Sequence, residues 1–189
     1  MTPAGYHPVV ELPKEVVVLD LSGKSSVSVG HEWSIGKYDE VRGIYSQPMF
    51  GGNRVVHLGI DLGGPAGTPV YAFTNGTVFA VGVNSANGDY GPTLITEHMV
   101  NGKAIWALHG HLSFSSIQEH SVGDKIKAGQ RIAQIGQESE NGGWPPHLHF
   151  QLSYAPPVGH DMRGVFTLEE AVAARLVHPD PRMVLGPIY

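Results

Sequence analysis

Residues Gly67-Thr-Pro-Val-Tyr-Ala72, followed by Gly76-Thr-Val78, read as strand, turn, strand, with small residues where two sheets must approach closely. The same texture returns in Val122-Gly-Asp-Lys-Ile-Lys-Ala-Gly-Gln-Arg-Ile-Ala133. Around these two rhyming segments, short apolar runs punctuated by glycine recur from His57 to about Ser153. They are Thr68–Phe73, Gly76–Val83, Pro92–His98, Ala104–His111, Asp124–Lys127, Gln130–Ile135 and His147–Ser153. Strands at this spacing with glycine turns predict a mainly β domain, a compact antiparallel β-sandwich or barrel-sandwich hybrid, with one or two short helices.

Outward from that core, residues 1–50 read as an N-terminal β-containing extension with two short runs, Glu15–Leu19 and Ser25–Val29, and no dense chemistry. Residues 51–155 form the expected core, and 156–189 a C-terminal tail. In the tail Thr167 and Glu170 make a capping box ahead of an Ala-rich helix running to about Val177, which His178-Pro179 stops.

Composition narrows the function classes. The 189 residues include 25 Gly and 14 Pro, too many turn formers for a long helical bundle, and 41% hydrophobic residues, enough for one core. Zero cysteine excludes disulfide scaffolds, thiolate metal sites and cysteine nucleophiles, so any metal is held by nitrogen and oxygen. The net charge of −5, with no Lys/Arg stripe, argues against nucleic acid as a partner. The longest apolar candidate, Val16–Leu19, is far short of the ~20 residues of a membrane span. The N-terminus lacks the basic and apolar regions of a signal peptide, so the chain as written carries no export mark. Gly23-Lys24-Ser25 lacks the earlier glycine of a phosphate-binding loop, and His31-Glu32 lacks the second histidine of a helical zinc-protease motif.

Eleven histidines remain to be placed. Three groups have even spacing: His57 with Asp61, His109 with His111, and His147 with His149. Side chains alternate along a strand, so even spacing puts both members of each pair on one face. Imidazoles and one carboxylate meeting on a shared face make the kind of site zinc prefers. Two His and one Asp supply three ligands and leave the fourth tetrahedral position open, which is catalytic rather than structural in character. His7, His31, His98, His120, His160 and His178 read as surface or packing residues.

These residues resemble the lysostaphin/LytM-type zinc metallopeptidases, which hydrolyse peptide crosslinks of bacterial cell walls. The resemblance covers about Val55 to Leu152. His57-x-x-x-Asp61 followed by Gly64-Pro-Ala-Gly-Thr-Pro-Val70 is similar to the family's first zinc motif, and His111-Leu-Ser113 to its middle motif. Gly143-Trp-Pro-Pro-His147-Leu-His149-Phe150 is similar to its final His-x-His motif, and the segment from Val122 to Gly136 to the hairpin between them. The resemblance implies a duplicated hybrid motif, with zinc (Zn2+) held by His57, Asp61 and His149. It places His111 and His147 beside the open position as catalytic groups. His147 takes a proton from water and His111 donates a hydrogen bond to the developing oxyanion. The implied partner is a peptide or peptidoglycan substrate, with Gly or D-Ala linkages. Asn141-Gly-Gly-Trp-Pro-Pro146 and Pro179-Asp-Pro181 resemble a subgroup also found fused to class III aminotransferases. A cytosolic peptidase or amidase with another substrate, or a non-catalytic regulatory module of the same fold, is the alternative.

Two departures stand out. His109 occupies a position where the family carries an aromatic residue, usually Tyr, and is either a further polar group at the site or a packing side chain. No asparagine precedes Asn53, so the asparagine that makes some relatives latent is absent in that form, which leaves open that residues 1–50 cover the cleft with another side chain. The loops Ser85–Gly91 and Glu138–Trp144 offer Asn84, Asn87, Asp89, Tyr90 and Trp144 either as groove walls or as ordinary turn formers.

Overall fold

The computed structural model describes residues 3, 5–23, 32–43, 45 and 51–189. The run Ser25–Val29 lies outside the described residues. The N-terminal segment gives three short strands, β1 (Val17–Val18), β2 (Ser34–Gly36) and β3 (Glu40–Val41). The core follows with β4 (Val56–His57), β5 (Ile60–Gly63), β6 (Pro69–Tyr71), β7 (Gly76–Asn84), β8 (Gly91–Val100) and β9 (Lys103–Gly110). After helix α1 (Phe114–Gln118) come β10 (Lys125–Ile126), β11 (Arg131–Gln134) and β12 (His147–Ser153). The tail holds β13 (Val165–Phe166), α2 (Leu168–Val177) and α3 (Arg182–Leu185). The fold is mainly β, as the spacing predicts, with three short helices among the described residues rather than one or two. The unforeseen α1 is set off by Ser113, whose hydroxyl accepts from the Ser116 amide. Thr167 and Glu170 form the expected capping box at α2.

The main sheet has eight strands in the order β1-β2-β5-β12-β9-β8-β7-β10, all antiparallel except the β1–β2 pair. The two rhyming segments pair with each other: β10 lies on β7 in this sheet, and β11 on β6 in a separate two-stranded sheet. A third sheet, β13-β4-β3, joins the N-terminal segment and the tail to the strand that carries His57.

Alternation along β12 sets the inside from the working face. Leu148, Phe150 and Leu152 are fully buried in a cluster with Ile60, Leu62, Leu94 and Ala107 from neighbouring strands and with Phe73, Leu112 and Ile132. Each such Leu, Ile or Phe contributes about 2 kcal/mol by leaving water. His147, His149 and Gln151 occupy the opposite face, where His149 stands across from Asp61. Farther along that face, Ala80, Ile95, Leu108 and Met162 form a smaller cluster.

Candidate metal centre and its groove

His57 and Asp61 are separated by Leu58, Gly59 and Ile60, and the alternation returns Asp61 to the same side as His57. Asp61 then sits in register with His149. Three atoms converge there. His57 Nε2 lies 3.0 Å from His149 Nδ1 and 3.3 Å from Asp61 Oδ1, and His149 Nδ1 lies 3.0 Å from the same oxygen. Among the described residues this is the one group of three ligand side chains close enough to hold a metal ion.

Outer contacts decide which face of each ring carries its proton. His57 Nδ1–H donates to the Lys37 carbonyl at 3.2 Å, so Nε2 presents a lone pair. Gln151 donates its amide nitrogen to the Arg163 carbonyl at 3.0 Å, and the same nitrogen lies 3.1 Å from His178 Nδ1, which also faces the Leu152 carbonyl at 3.2 Å. That orientation turns Gln151 Oε1 toward His149 Nε2–H at 3.0 Å, so the His149 lone pair sits on Nδ1. Two imidazole lone pairs and a carboxylate oxygen therefore meet with no hydrogen between them. This donor set fits a cation, and nitrogen and oxygen ligands of this kind suit zinc.

The electrostatics agree. Burial pushes the His57 pKa down to about 4, helped by the Arg42 guanidinium, so the ring is neutral at pH 7. Burial opposes the charge on Asp61, but the neighbouring His57 and the Arg42 guanidinium outweigh it and hold the carboxyl well below the usual range. Glycines make the close packing possible. A Cβ on Gly59 would lie 2.7 Å from His149 Nε2, and one on Gly36 would lie 2.7 Å from Arg42 Nη2 and 3.0 Å from Asp61 Oδ2.

His111 and His147 stand beside this group, with ring centroids 4.3 Å apart and His147 Nε2 4.0 Å from Asp61 Oδ1. Each donates its Nδ1–H to a backbone carbonyl at 2.7 Å, His111 to Asn141 and His147 to Pro145. Their Nε2 atoms therefore carry lone pairs. Burial lowers both pKa values, and for His111 the neighbouring His147 lowers it further, so both rings are neutral near pH 7. Asn141 anchors the supporting loop, taking the Trp144 amide on its oxygen and giving its nitrogen to the Gly136 and Trp144 carbonyls.

His109 and His111 do not share a face. Strand β9 ends at Gly110, and His111 has a φ of 61°, which turns its side chain across to the metal group. His109 stays on the core side, fully buried against Phe150 at 5.3 Å between ring centroids. Its Nδ1–H donates to the Leu94 carbonyl at 3.2 Å, and its Nε2 has no partner. It is a packing residue. Of the other histidines, His98 is a bonded core residue, with Thr96 Oγ1 at 2.7 Å and the Asn75 carbonyl at 3.1 Å.

A cavity of ≈ 470 Å³ opens over the metal group. Tyr90, Asp89, Trp144 and Pro145 line one part of it, Leu19, Leu21, Ser34 and Tyr45 another. Asn84 and Asn87 are not among its walls; Asn84 binds Thr93 and the His160 carbonyl instead. Residues 1–50, read as carrying no dense chemistry, still bring two groups to the site: Arg42 donates to Asp61 and the Lys37 carbonyl accepts from His57. Gln151 was also missed, although extending the His147/His149 alternation by one step finds it.

Residues 55–160 match the model of peptidase family M23. The glycyl-glycine endopeptidase ALE-1 of Staphylococcus capitis is 35% identical over 109 residues, 58% of this chain and 27% of that protein. The peptidoglycan DD-endopeptidase ShyB of Vibrio cholerae is 34% identical over 101 residues, 53% of this chain and 21% of that protein. The DD-carboxypeptidase/endopeptidase Mpg of Neisseria meningitidis is 34% identical over 96 residues, 51% of this chain and 20% of that protein. This chain thus spans between 20% and 27% of the length of these relatives. Among solved structures, the catalytic domain of lysostaphin from Staphylococcus simulans aligns with TM-score 0.46 and 24% identity, covering 75% of this chain and 92% of that one. A mutant catalytic domain of the prophage-encoded M23 protein EnpA from Enterococcus faecalis aligns with TM-score 0.49 and 26% identity, covering 71% of this chain and 90% of that one.

Proposed function

Since the chain belongs to peptidase family M23, we propose that it is a zinc-dependent endopeptidase that hydrolyses amide bonds in short Gly- or D-Ala-containing peptides, with peptidoglycan crosslinks as the leading substrate. One observation carries this reading: three hydrogen-free donor atoms within 3.3 Å of one another, flanked by two imidazoles whose Nε2 lone pairs stand free beside them at the floor of a groove. His57, Asp61 and His149 would hold the zinc. Bound there, it supplies Lewis acidity toward a carbonyl oxygen and toward water.

The remaining work falls to this chain's own groups. His147, oriented by the Pro145 carbonyl, takes the proton of the attacking water on Nε2 and later passes it to the leaving amine nitrogen. His111 has its one neutral-state hydrogen on Nδ1, bonded to Asn141, so it donates to a developing oxyanion only while it holds a proton on Nε2. Two charges 4.3 Å apart in a buried place repel strongly, so the pair carries at most one proton beyond its two Nδ1 hydrogens: that proton is either on His147 Nε2, taken from the water, or on His111 Nε2, facing the oxyanion, and not on both at once. Tyr90 and Trp144 line the groove and exclude water around an extended peptide with small side chains. The glycyl-glycine and DD-endopeptidase names of the relatives support that substrate class.

The test is digestion of purified cell wall and a peptide panel by the zinc-loaded chain, beside His149→Ala. Loss of zinc and activity together in His149→Ala is expected, and His111→Ala or His147→Ala should keep zinc and lower kcat. Full turnover by His147→Ala would sink the role given to it. A zinc-loaded chain that cleaves nothing would favour a non-catalytic module.

A further inference from the structure

Arg42 precedes the family-matched region and is almost completely buried, 3% exposed, against the metal group. An arginine has five N–H donors, and the structure accounts for four of those on Arg42. Nε donates to Glu40 Oε2 at 3.2 Å, Nη1 to Asp61 Oδ2 at 2.6 Å and to the Tyr45 hydroxyl at 2.9 Å, and Nη2 to the Lys37 carbonyl at 3.3 Å. A guanidinium so fully engaged has no free pair of donors with which to grip a substrate carboxylate. Its geometry acts on Asp61 instead. Oδ2 is held by Arg42, and Oδ1 alone turns to His57 and His149.

The frame around Arg42 is built for this. The Lys37 carbonyl accepts from both Arg42 and His57, so one peptide group aligns the clamp and a ligand. Glu40, which anchors the far end of the guanidinium, takes the Leu21 amide at 3.2 Å and Lys37 Nζ at 3.1 Å on its other oxygen. The Arg42 amide donates to the Val55 carbonyl at 2.8 Å, tying the segment to the residues leading into β4.

We propose that Arg42 is a positioning residue of the metal centre: by holding Asp61 Oδ2 it makes Asp61 a single-oxygen ligand, and the segment around residues 37–42 is a working part of the site. This rests on the metal-binding reading above. Partners that orient ligands in this way are worth ~10–100-fold in metal affinity.

The test uses the full chain, zinc affinity by competition with a chromophoric chelator, and the visible spectrum of the cobalt-loaded protein. Arg42→Lys keeps the charge, but a single ammonium cannot span Glu40, Asp61 and Tyr45 together. Glu40→Gln/Arg42→Met removes one charge of each sign and leaves an oxygen for the Leu21 amide. Both changes hold the local net charge constant, so altered affinity reports position rather than attraction. Zinc binding ~10–100-fold weaker is expected in each folded variant, with weaker cobalt d–d absorption as Asp61 becomes free to add its second oxygen. Affinity within about twofold of the parent, or tighter, in a variant that melts cooperatively overturns the proposal. So does failure of both variants to fold in saturating zinc, since Arg42 would then serve folding alone. A parent chain that takes up no zinc refutes the metal reading instead, a different result.

Discussion

Acid should unfold this protein through its core, and His109 carries a measurable share. Burial pushes the His109 pKa down to about 3, and the unpartnered Nε2 leaves an added proton with nothing to bond to. His98 is pushed down to about 4, also mainly by burial. The unfolded chain binds these protons near pH 6.5 and the folded chain only near 3 or 4, so stability is complete above about pH 7.5 and falls as pH drops through 6.5. At 1.36 kcal/mol per pKa unit, each histidine costs about 2 kcal/mol at pH 5, together about 4 kcal/mol of a total on the order of 10. Replacing His109 by Leu removes one titrating group and one hydrogen bond to the Leu94 carbonyl, worth about 1 kcal/mol. Urea unfolding of the metal-free protein at pH 8 and pH 5 should show the parent losing about 2 kcal/mol more than His109→Leu over that interval. With a urea slope of about 2 kcal/mol/M, this is a difference of about 1 M in midpoint shift. The metal-free state keeps metal release out of the comparison. Parallel losses in the two proteins would show that His109 does not titrate as its surroundings demand.

Three further outcomes can be read from the same structure. Gly59→Ala pushes a methyl group into the His149 ring and should cost about 1–3 kcal/mol of stability and at least tenfold in zinc affinity, measured by melting and chelator competition. Gln151→Leu leaves His149 Nε2–H with only the Tyr90 hydroxyl, 3.5 Å away, as acceptor and should weaken zinc ~10–100-fold; unchanged affinity would mean the ring is oriented by other contacts. Asn141→Ala strips three hydrogen bonds from the loop under His111 and His147, and should lower stability by about 2–3 kcal/mol and kcat more than tenfold while zinc content stays at the parent level.

The strand pattern was legible because short apolar runs punctuated by glycine turns leave little but strands to fill the core, and the central ones are buried on both faces. Thus the predicted His147–Ser153 is the observed β12, and Gly76–Val83 falls within β7. The candidate ligands were legible because side chains alternate along such strands: positions 57 and 61, and 147 and 149, each share a face. The His109/His111 pair misled because alternation holds only while the backbone is extended. His111, a non-glycine residue at a φ of 61°, departs from it without any mark in the sequence. Arg42 was invisible for another reason. Nothing local marks an arginine in a polar segment as buried, and its meaning comes from Asp61, 19 residues away. Gln151 needed knowledge that tail residues 163 and 178 close over it.

The amide of Gln151 joins the groove to the tail. Its nitrogen reaches His178, the residue that ends α2, while its oxygen reaches His149. That helix leaves Leu168, Val172 and Leu176 exposed, while its C-terminal end meets the Gln151 amide. The orientation of one imidazole in the groove therefore depends on where the tail helix stops, 29 positions farther along the chain than His149 itself.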